Sequence, residues 1–410
     1  MSKIQPFNAL RPAENFAAGV ASRPYDVLNR EEAKSEAAEN PASFLHITKS
    51  EIDLPESVDI HDQAVYEKAK ENLKAFIDNH ILIKEEKPAY YIYQLIMNGK
   101  SQTGLVAVSS VDDYENDVIK KHEFTRPEKE QDRINHITVT GAQTGNVFLA
   151  YRDVDQLNQL IGDWKDQHPA IYDFVAQDGI RHTIWLVDND ETISQISAAF
   201  ENQVPQTYIA DGHHRAASAA KVRKGLGDDK TPAADYFLTT LFPASELQIL
   251  DYNRVITDLN GLSTDEFLDK LSENFTVSPS VTPVKPTALH HIGLYIDHNW
   301  YELVAKPGTF DEQDPVGVLD ISVLQKNVLG PILNIQDQRT DKRIDFVGGI
   351  RGLEGLTARV DSGEMVLAFS LYPVAIEQLF AIADSGNVMP PKSTWFEPKL
   401  RDGLLTHLIK

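Results

Sequence analysis

The spacing of apolar positions changes several times along this chain, and each change marks an element. Val65, Ala69, Leu73, Phe76 and Ile77 recur every three or four residues with charges between them, which predicts an amphipathic helix with Asp59 as its cap. From Ala89 the pattern turns β-rich (AYYIYQLIM), breaks at Asn98-Gly99 and resumes from Gly104 to Val108, predicting a hairpin with a type I′ turn. Leu157, Leu160, Ile161 and Trp164 define a helix over 154–164. A hairpin about Asp178-Gly179 follows, with HTIWLV as its second strand, and then a helix over 191–200. The strand QTYIA (206–210) runs into Asp-Gly-His-His-Arg and an Ala-rich helix, with Asp211 expected to cap its start and Gly225 to end it. Further on come a capping box from Ser263 to Glu266, a hairpin at 292–295 and 301–304, a strand near 367–371 and a helix opened by Pro373 and running to about Ala383. Last is a proline-broken, ordered loop, MPPKSTWFEPKL. Strands and helices intermix without strict alternation, so the expected fold class is α+β, a mixed α/β fold. Three segments are expected: 1–150 with the HEFTRP loop, 151–260 with the DGHHR turn, and 261–410 with the KSTWF strap.

Composition narrows the chemistry. The 410 residues are 42% hydrophobic and 24% charged, which excludes collagen, disorder and coiled coil. A formal charge of −22 repels phosphate backbones, so neither nucleic acid nor an anionic membrane is an expected partner. With no Cys, thiolate catalysis, iron–sulfur clusters and cysteine zinc sites are impossible. The N-terminus lacks a basic segment followed by an apolar stretch, and no run approaches 18 apolar residues; a cytoplasmic protein is expected. The common nucleotide and hydrolase motifs (GxxxxGK[ST], GxGxxG, GxSxG, HExxH) are absent.

Three clusters carry candidate chemistry. At Asp211-Gly212-His213-His214-Arg215 a helix N-terminus opens directly after a strand, where free N–H groups, a permissive Gly and an arginine fork suit a phosphate. The same residues also read as an Asp cap with a tight-turn Gly. The second cluster, Lys121-His122-Glu123-Phe124-Thr125-Arg126, concentrates cations in an acidic chain and offers Glu123 as a base; the other reading is a solvated charged loop. The third, Lys392-Ser393-Thr394 with Lys399 beyond it, offers lysines and hydroxyls to an anion, or straps Trp395 and Phe396 onto the body. Ser22-Arg23-Pro24-Tyr25-Asp26 is a turn that could place Asp26 in a site.

These motifs in this order resemble domain-of-unknown-function family 1015: FNALRP (7–12), RPYDVL (23–28), NPASFLHI (40–47), KHEFTRPEKEQDR (121–133), YIADGHHR (208–215), LDYNRVI (250–256) and MPPKSTWFEPKL (389–400). One departure is Arg23, where the family commonly carries Pro. The DGHHR turn is also similar to that of ParB/sulfiredoxin-like free-serine kinases. That resemblance implies a ParB/sulfiredoxin-like core with added N- and C-terminal α/β regions. The implied function is a phosphotransferase of serine metabolism, acting on free L-serine or O-phosphoserine with ATP or ADP and Mg2+, and no metal held by protein ligands. By the same implication Asp211 orients the turn or the Mg2+, Gly212 and the helix start bind phosphate, and His213, His214 and Arg215 stabilise transferring charge. Glu123 is the expected base, while Lys121, His122, Arg126, Lys392, Ser393, Thr394 and Lys399 hold the anion. Two other functions stay open: a nucleotide-binding, ParB-like regulator without turnover, and a metal-dependent hydrolase using His122, His213 and His214.

Overall fold

The computed structural model describes residues 1–410, which form two compact units, one of residues 1–247 with 398–410 and one of residues 248–397. The first is built on a nine-stranded mixed sheet. Its strands are β1 (Ile4–Gln5), β2 (Tyr90–Met97), β3 (Lys100–Ser110), β4 (Ile119–Lys120), β5 (Val147–Tyr151), β6 (Tyr172–Val175), β7 (Arg181–Val187), β8 (Thr207–Asp211) and β9 (Tyr236–Pro243). The order is β4-β8-β5-β9-β3-β2-β7-β6, with β1 paired to β3. Strands from residues 1–150 and 151–260 therefore share this sheet. The expected hairpin of β2 and β3 is present, and Asn98 (φ 52°) and Gly99 (φ 77°) both take the left-handed backbone that a type I′ turn needs.

Helices cover this sheet because their apolar stripes match it. Five helices matter here: α1 (Gln63–Asp78), α2 (Pro127–Thr140), α3 (Asp155–Gln167), α4 (Asp190–Gln203) and α5 (His213–Leu226). Leu157, Ile161 and Trp164 of α3, Ile196 and Phe200 of α4, and Ala216, Ala219 and Ala220 of α5 pack with Ile92, Leu105, Leu149, Ile209 and Leu241 of the sheet. The alanines let α5 lie close to its strands. Three expected helix ends differ. Asp62, not Asp59, caps α1 by accepting from Ala64 N–H at 2.8 Å, and Asp59 instead accepts from His61 N–H. Gly212, not Asp211, stands at the start of α5, and its end is Gly227 (φ 52°), with Gly225 inside the helix.

The second unit holds a six-stranded antiparallel sheet of β10 (Tyr252–Ile256), β11 (Phe275–Ser280), β12 (His291–Ile296), β13 (Asn299–Ala305), β14 (Ile344–Gly348) and β15 (Leu367–Ser370), in the order β11-β13-β12-β15-β10-β14. The capping box is formed: Ser263 Oγ accepts from Glu266 N–H at 3.3 Å, and Glu266 Oε2 accepts from Ser263 N–H at 2.9 Å. The final helix runs Ile376–Asp384, three residues beyond Pro373. Within the strap, Trp395 and Phe396 pair as a short strand with Leu250 and Ile249, and Trp395 meets the Tyr252 ring edge-on at 5.0 Å. Arg254 is fully buried with no carboxylate partner and donates to the carbonyls of Tyr252 and Pro391 and to Gln338; burial pulls its pKa down to about 9.

Gly104 gives a test of packing in the first unit, since a Cβ there would stand 2.7 Å from the Phe242 ring. Gly104→Ala is expected to cost about 1–3 kcal/mol by overpacking, read from urea unfolding, with part regained when Phe242→Leu is added.

Candidate functional site

The site grows from one break in β8. The pairing of β8 with β5 shifts register between Ile209 and Asp211, a bulge at Ala210 that leaves Asp211 opposite Phe148 as the last residue of the strand. Gly212 follows with φ 96° and ψ 27°, a left-handed conformation, and a Cβ on it would lie 3.3 Å from Val147 Cα. Only Gly fits there without strain. The chain then enters α5 with no side-chain hydrogen bond capping its start, which leaves the positive end of the helix dipole at this half-buried turn.

Around this turn the structure brings together His122, Arg126, Asp211, Gly212, His213, His214, Arg215 and Lys399. Lys399 Nζ donates to Asp211 Oδ2 at 2.7 Å. Burial alone would raise the Asp211 carboxyl, but Lys399 and Arg215 hold it well below the usual carboxylate range. His213 Nε2 accepts from His122 N–H at 3.5 Å, and the two rings stand edge to face 4.5 Å apart. His214 Nε2 accepts from Arg126 N–H at 2.9 Å. Burial lowers the pKa of all three imidazoles, that of His122 to about 4, so they are neutral near pH 7.

Arg215 is largely engaged by the protein itself. Its Nη1 donates to the Asn146 carbonyl at 2.7 Å and its Nη2 to Asp26 Oδ1 at 3.3 Å. Its guanidinium lies 5.3 Å from the Tyr25 ring centre, and that ring also meets Arg133 at 3.8 Å. Asp402, 1% exposed, sits 3.9 Å from Arg215 Nη1; burial pushes its carboxyl up to about 7 against the pull of Arg215. A small cavity of about 30 Å3 opens here, lined by Tyr25, Arg133, Thr144, Gly145 and Arg215 among others. A wider cleft of about 690 Å3, lined in part by Phe7, Asn8, Lys84, Tyr236 and His407, shares no lining residue with the turn.

The remaining expected residues are placed as follows. Glu123 lies in the 121–126 loop between β4 and α2. Lys121 donates to the Tyr114 carbonyl at 2.7 Å and stands 4.4 Å over that ring, while Arg126 is exposed. Lys392, Ser393 and Thr394 belong to the second unit. There Lys392 has φ 56° and its Nζ is 5.8 Å from the Tyr252 ring, and Ser393 Oγ donates to the Pro390 carbonyl at 2.6 Å. No group of three His, Asp or Glu side chains is arranged to hold a metal ion. Asp26, Tyr25, Arg133, Asn146 and Asp402 join the turn without having been assigned to it from sequence, apart from the mention of Asp26. The RPYDVL motif was the available signal for two of them; Asp402, next to a Gly near the chain end, carried none.

A family model described as a protein of unknown function, DUF1015, matches residues 4–322, and the chain belongs to that family. No curated protein matches the sequence. Among solved structures, a conserved hypothetical protein from Pyrococcus furiosus is 14% identical, with 74% of this chain and 94% of that chain covered and a TM-score of 0.37. A free serine kinase in complex with AMP is 11% identical over 73% of this chain and 91% of its own, with a TM-score of 0.38. SbnI with a C-terminal truncation, from Staphylococcus aureus, is 11% identical over 72% and 85%, with a TM-score of 0.39. No helix is long and apolar enough to cross a membrane.

Two outcomes follow for the turn. Gly212→Ala should lose about 1–3 kcal/mol from the left-handed backbone alone, more with the Val147 contact, read as a fall in thermal midpoint. Asp402, with its folded pKa raised, contributes stability below the unfolded carboxylate range that is lost as pH rises toward 7. Relative to wild type, Asp402→Asn should therefore gain stability progressively between pH 4 and pH 7 in parallel melts.

Proposed function

We propose that this protein is a phosphotransferase of the free-serine-kinase kind, moving a phosphoryl group between an adenine nucleotide and L-serine, in the direction of phosphoserine or back. The observation that carries the reading is the uncapped start of α5 at Gly212, with Lys399 held beside it by Asp211. An anion at that point meets the positive end of a 14-residue helix that no side chain caps, and an ammonium. Phosphoryl transfer asks mainly for such positioning and charge neutralisation. The strand, Gly turn and helix at 207–226 support a ParB/sulfiredoxin-like core, and the DGHHR motif supports serine and nucleotide as the substrates.

In this reading Gly212 and the opening turn of α5 take the transferring phosphate, Lys399 offsets its charge, and Asp211 orients the lysine. Arg215 braces the Tyr25–Asp26 turn and Asp402 against the helix. Lys121, His122 and Arg126 shape the phosphate side; Lys392, Ser393 and Thr394, in the second unit beside Tyr252 and Pro390, take no part in this reading. Glu123 takes the proton from the serine hydroxyl; Asp26, an exposed carboxylate beside Arg215, is the second candidate for that step. Mg2+ would be held by the nucleotide phosphates and would neutralise their charge, and no step is assigned to a protein-bound metal.

The test is purified protein with L-[14C]serine, Mg2+ and ATP or ADP, and in parallel phosphoserine with ADP, separating serine from phosphoserine. Conversion is expected, with Lys399→Ala lowering kcat roughly 100-fold or more as for removal of a preorganised charge contact. Glu123→Gln should abolish turnover while Asp26→Asn keeps measurable turnover; the reverse pattern makes Asp26 the base. No conversion with any of these pairs overturns the assignment.

A further inference from the structure

The two adjacent histidines have a geometric peculiarity that phosphate chemistry does not require. Both point a ring nitrogen at main-chain N–H groups of one loop, four residues apart. His213 Nε2 receives His122 N–H and His214 Nε2 receives Arg126 N–H. Residues 122–126 thus form an arch with one foot on each histidine. The arch is fixed beyond its feet as well. Thr125 Oγ1 donates to Glu130 Oε2 at 2.7 Å, in the first turn of α2, and the Glu130 carbonyl receives Ser218 Oγ of α5 at 3.0 Å. At the crest stands Phe124, 67% exposed, an aromatic ring that buries little of itself against the fold.

A histidine that accepts from a backbone amide must carry its proton on the other nitrogen and be neutral. Protonation would set N–H against N–H and release the foot. The surroundings keep the neutral form. Burial, Lys129 and Arg126 lower the pKa of His214 while Asp26 and Glu130 oppose them; burial, His122, His214 and Lys121 lower that of His213 while Asp211 opposes them. We infer that His213 and His214 are positioning residues, neutral acceptors that pin the 122–126 arch to the start of α5 and so set where Glu123 and Phe124 stand. What the arch then does for turnover rests on the phosphotransfer reading; the arch itself does not.

The experiment places a reporter on the crest. In the full chain carrying Phe124→Trp, tryptophan fluorescence anisotropy is compared with a Phe124 control to subtract the four native tryptophans, from pH 8 down to pH 4.5, with circular dichroism confirming the fold. The crest signal is expected to stay high through the ordinary histidine range and to fall only below it, because the folded pKa of His214 is lowered. Adding His214→Gln, whose amide oxygen accepts the same N–H but does not titrate, should keep the anisotropy high at every pH. His214→Leu should leave it low at every pH. A crest signal indifferent to residue 214, or a folded His214→Gln protein that behaves like His214→Leu, overturns the inference. No substrate enters these measurements, so a protein that shows the expected pattern yet transfers no phosphate would sink the proposed function and leave the positioning role standing.

Discussion

The left-handed turn at Gly212 is the constraint on which the candidate site depends. A strand that ends in a bulge, followed at once by a helix, needs the backbone to reverse its sense within one residue, and Val147 crowds that residue on one side. Any Cβ would push the helix start away from β5. With Gly, the first turn of α5 comes close enough for Arg215 to reach the Asn146 carbonyl and for both histidines to meet the neighbouring loop. The five letters of the DGHHR motif thus serve distinct mechanical ends: charge, turn, two acceptors and a brace.

Charge around the turn is arranged in layers. Asp211 is held ionised by Lys399 at the edge, where its partner is within hydrogen-bond distance. Asp402, deeper and 3.9 Å from Arg215, keeps a proton far more readily. The two carboxylates share one arginine but differ in burial and in contact distance, and those differences separate their protonation. In a chain of net charge −22 this turn gathers Arg215 and Lys399 against the carboxylates of Asp26, Asp211 and Asp402.

Much of the fold was legible wherever periodicity was strong. The Asn98-Gly99 hairpin, the capping box at Ser263 and the strand-turn-helix at residue 211 were all readable because a local rule dictates each. β5 was not read, because VFLAY is buried on both faces and shows no alternation. Helix ends slipped by one to three residues where two residues could each cap, as with Asp59 and Asp62. Of the site, the turn and its loop were visible as motifs, while Tyr25, Arg133 and Asp402 come from residues far apart in sequence and meet only through tertiary packing. The pairing of each histidine with one amide is likewise geometry that spacing alone does not encode.

The first unit takes the short strand His407–Leu408, which pairs with Gln143 and Ala142, its Lys399 and its Asp402 from residues 398–410, after the chain has passed through all of the second unit. On a ribosome adding about 5–20 residues per second, Asp211 therefore waits many seconds for its ammonium partner. Until then Asp211 lacks the lysine it accepts from, and Arg215 lacks the Asp402 it faces. The ion pair at this turn is thus closed late in synthesis, by a lysine 188 positions further along the chain than its carboxylate.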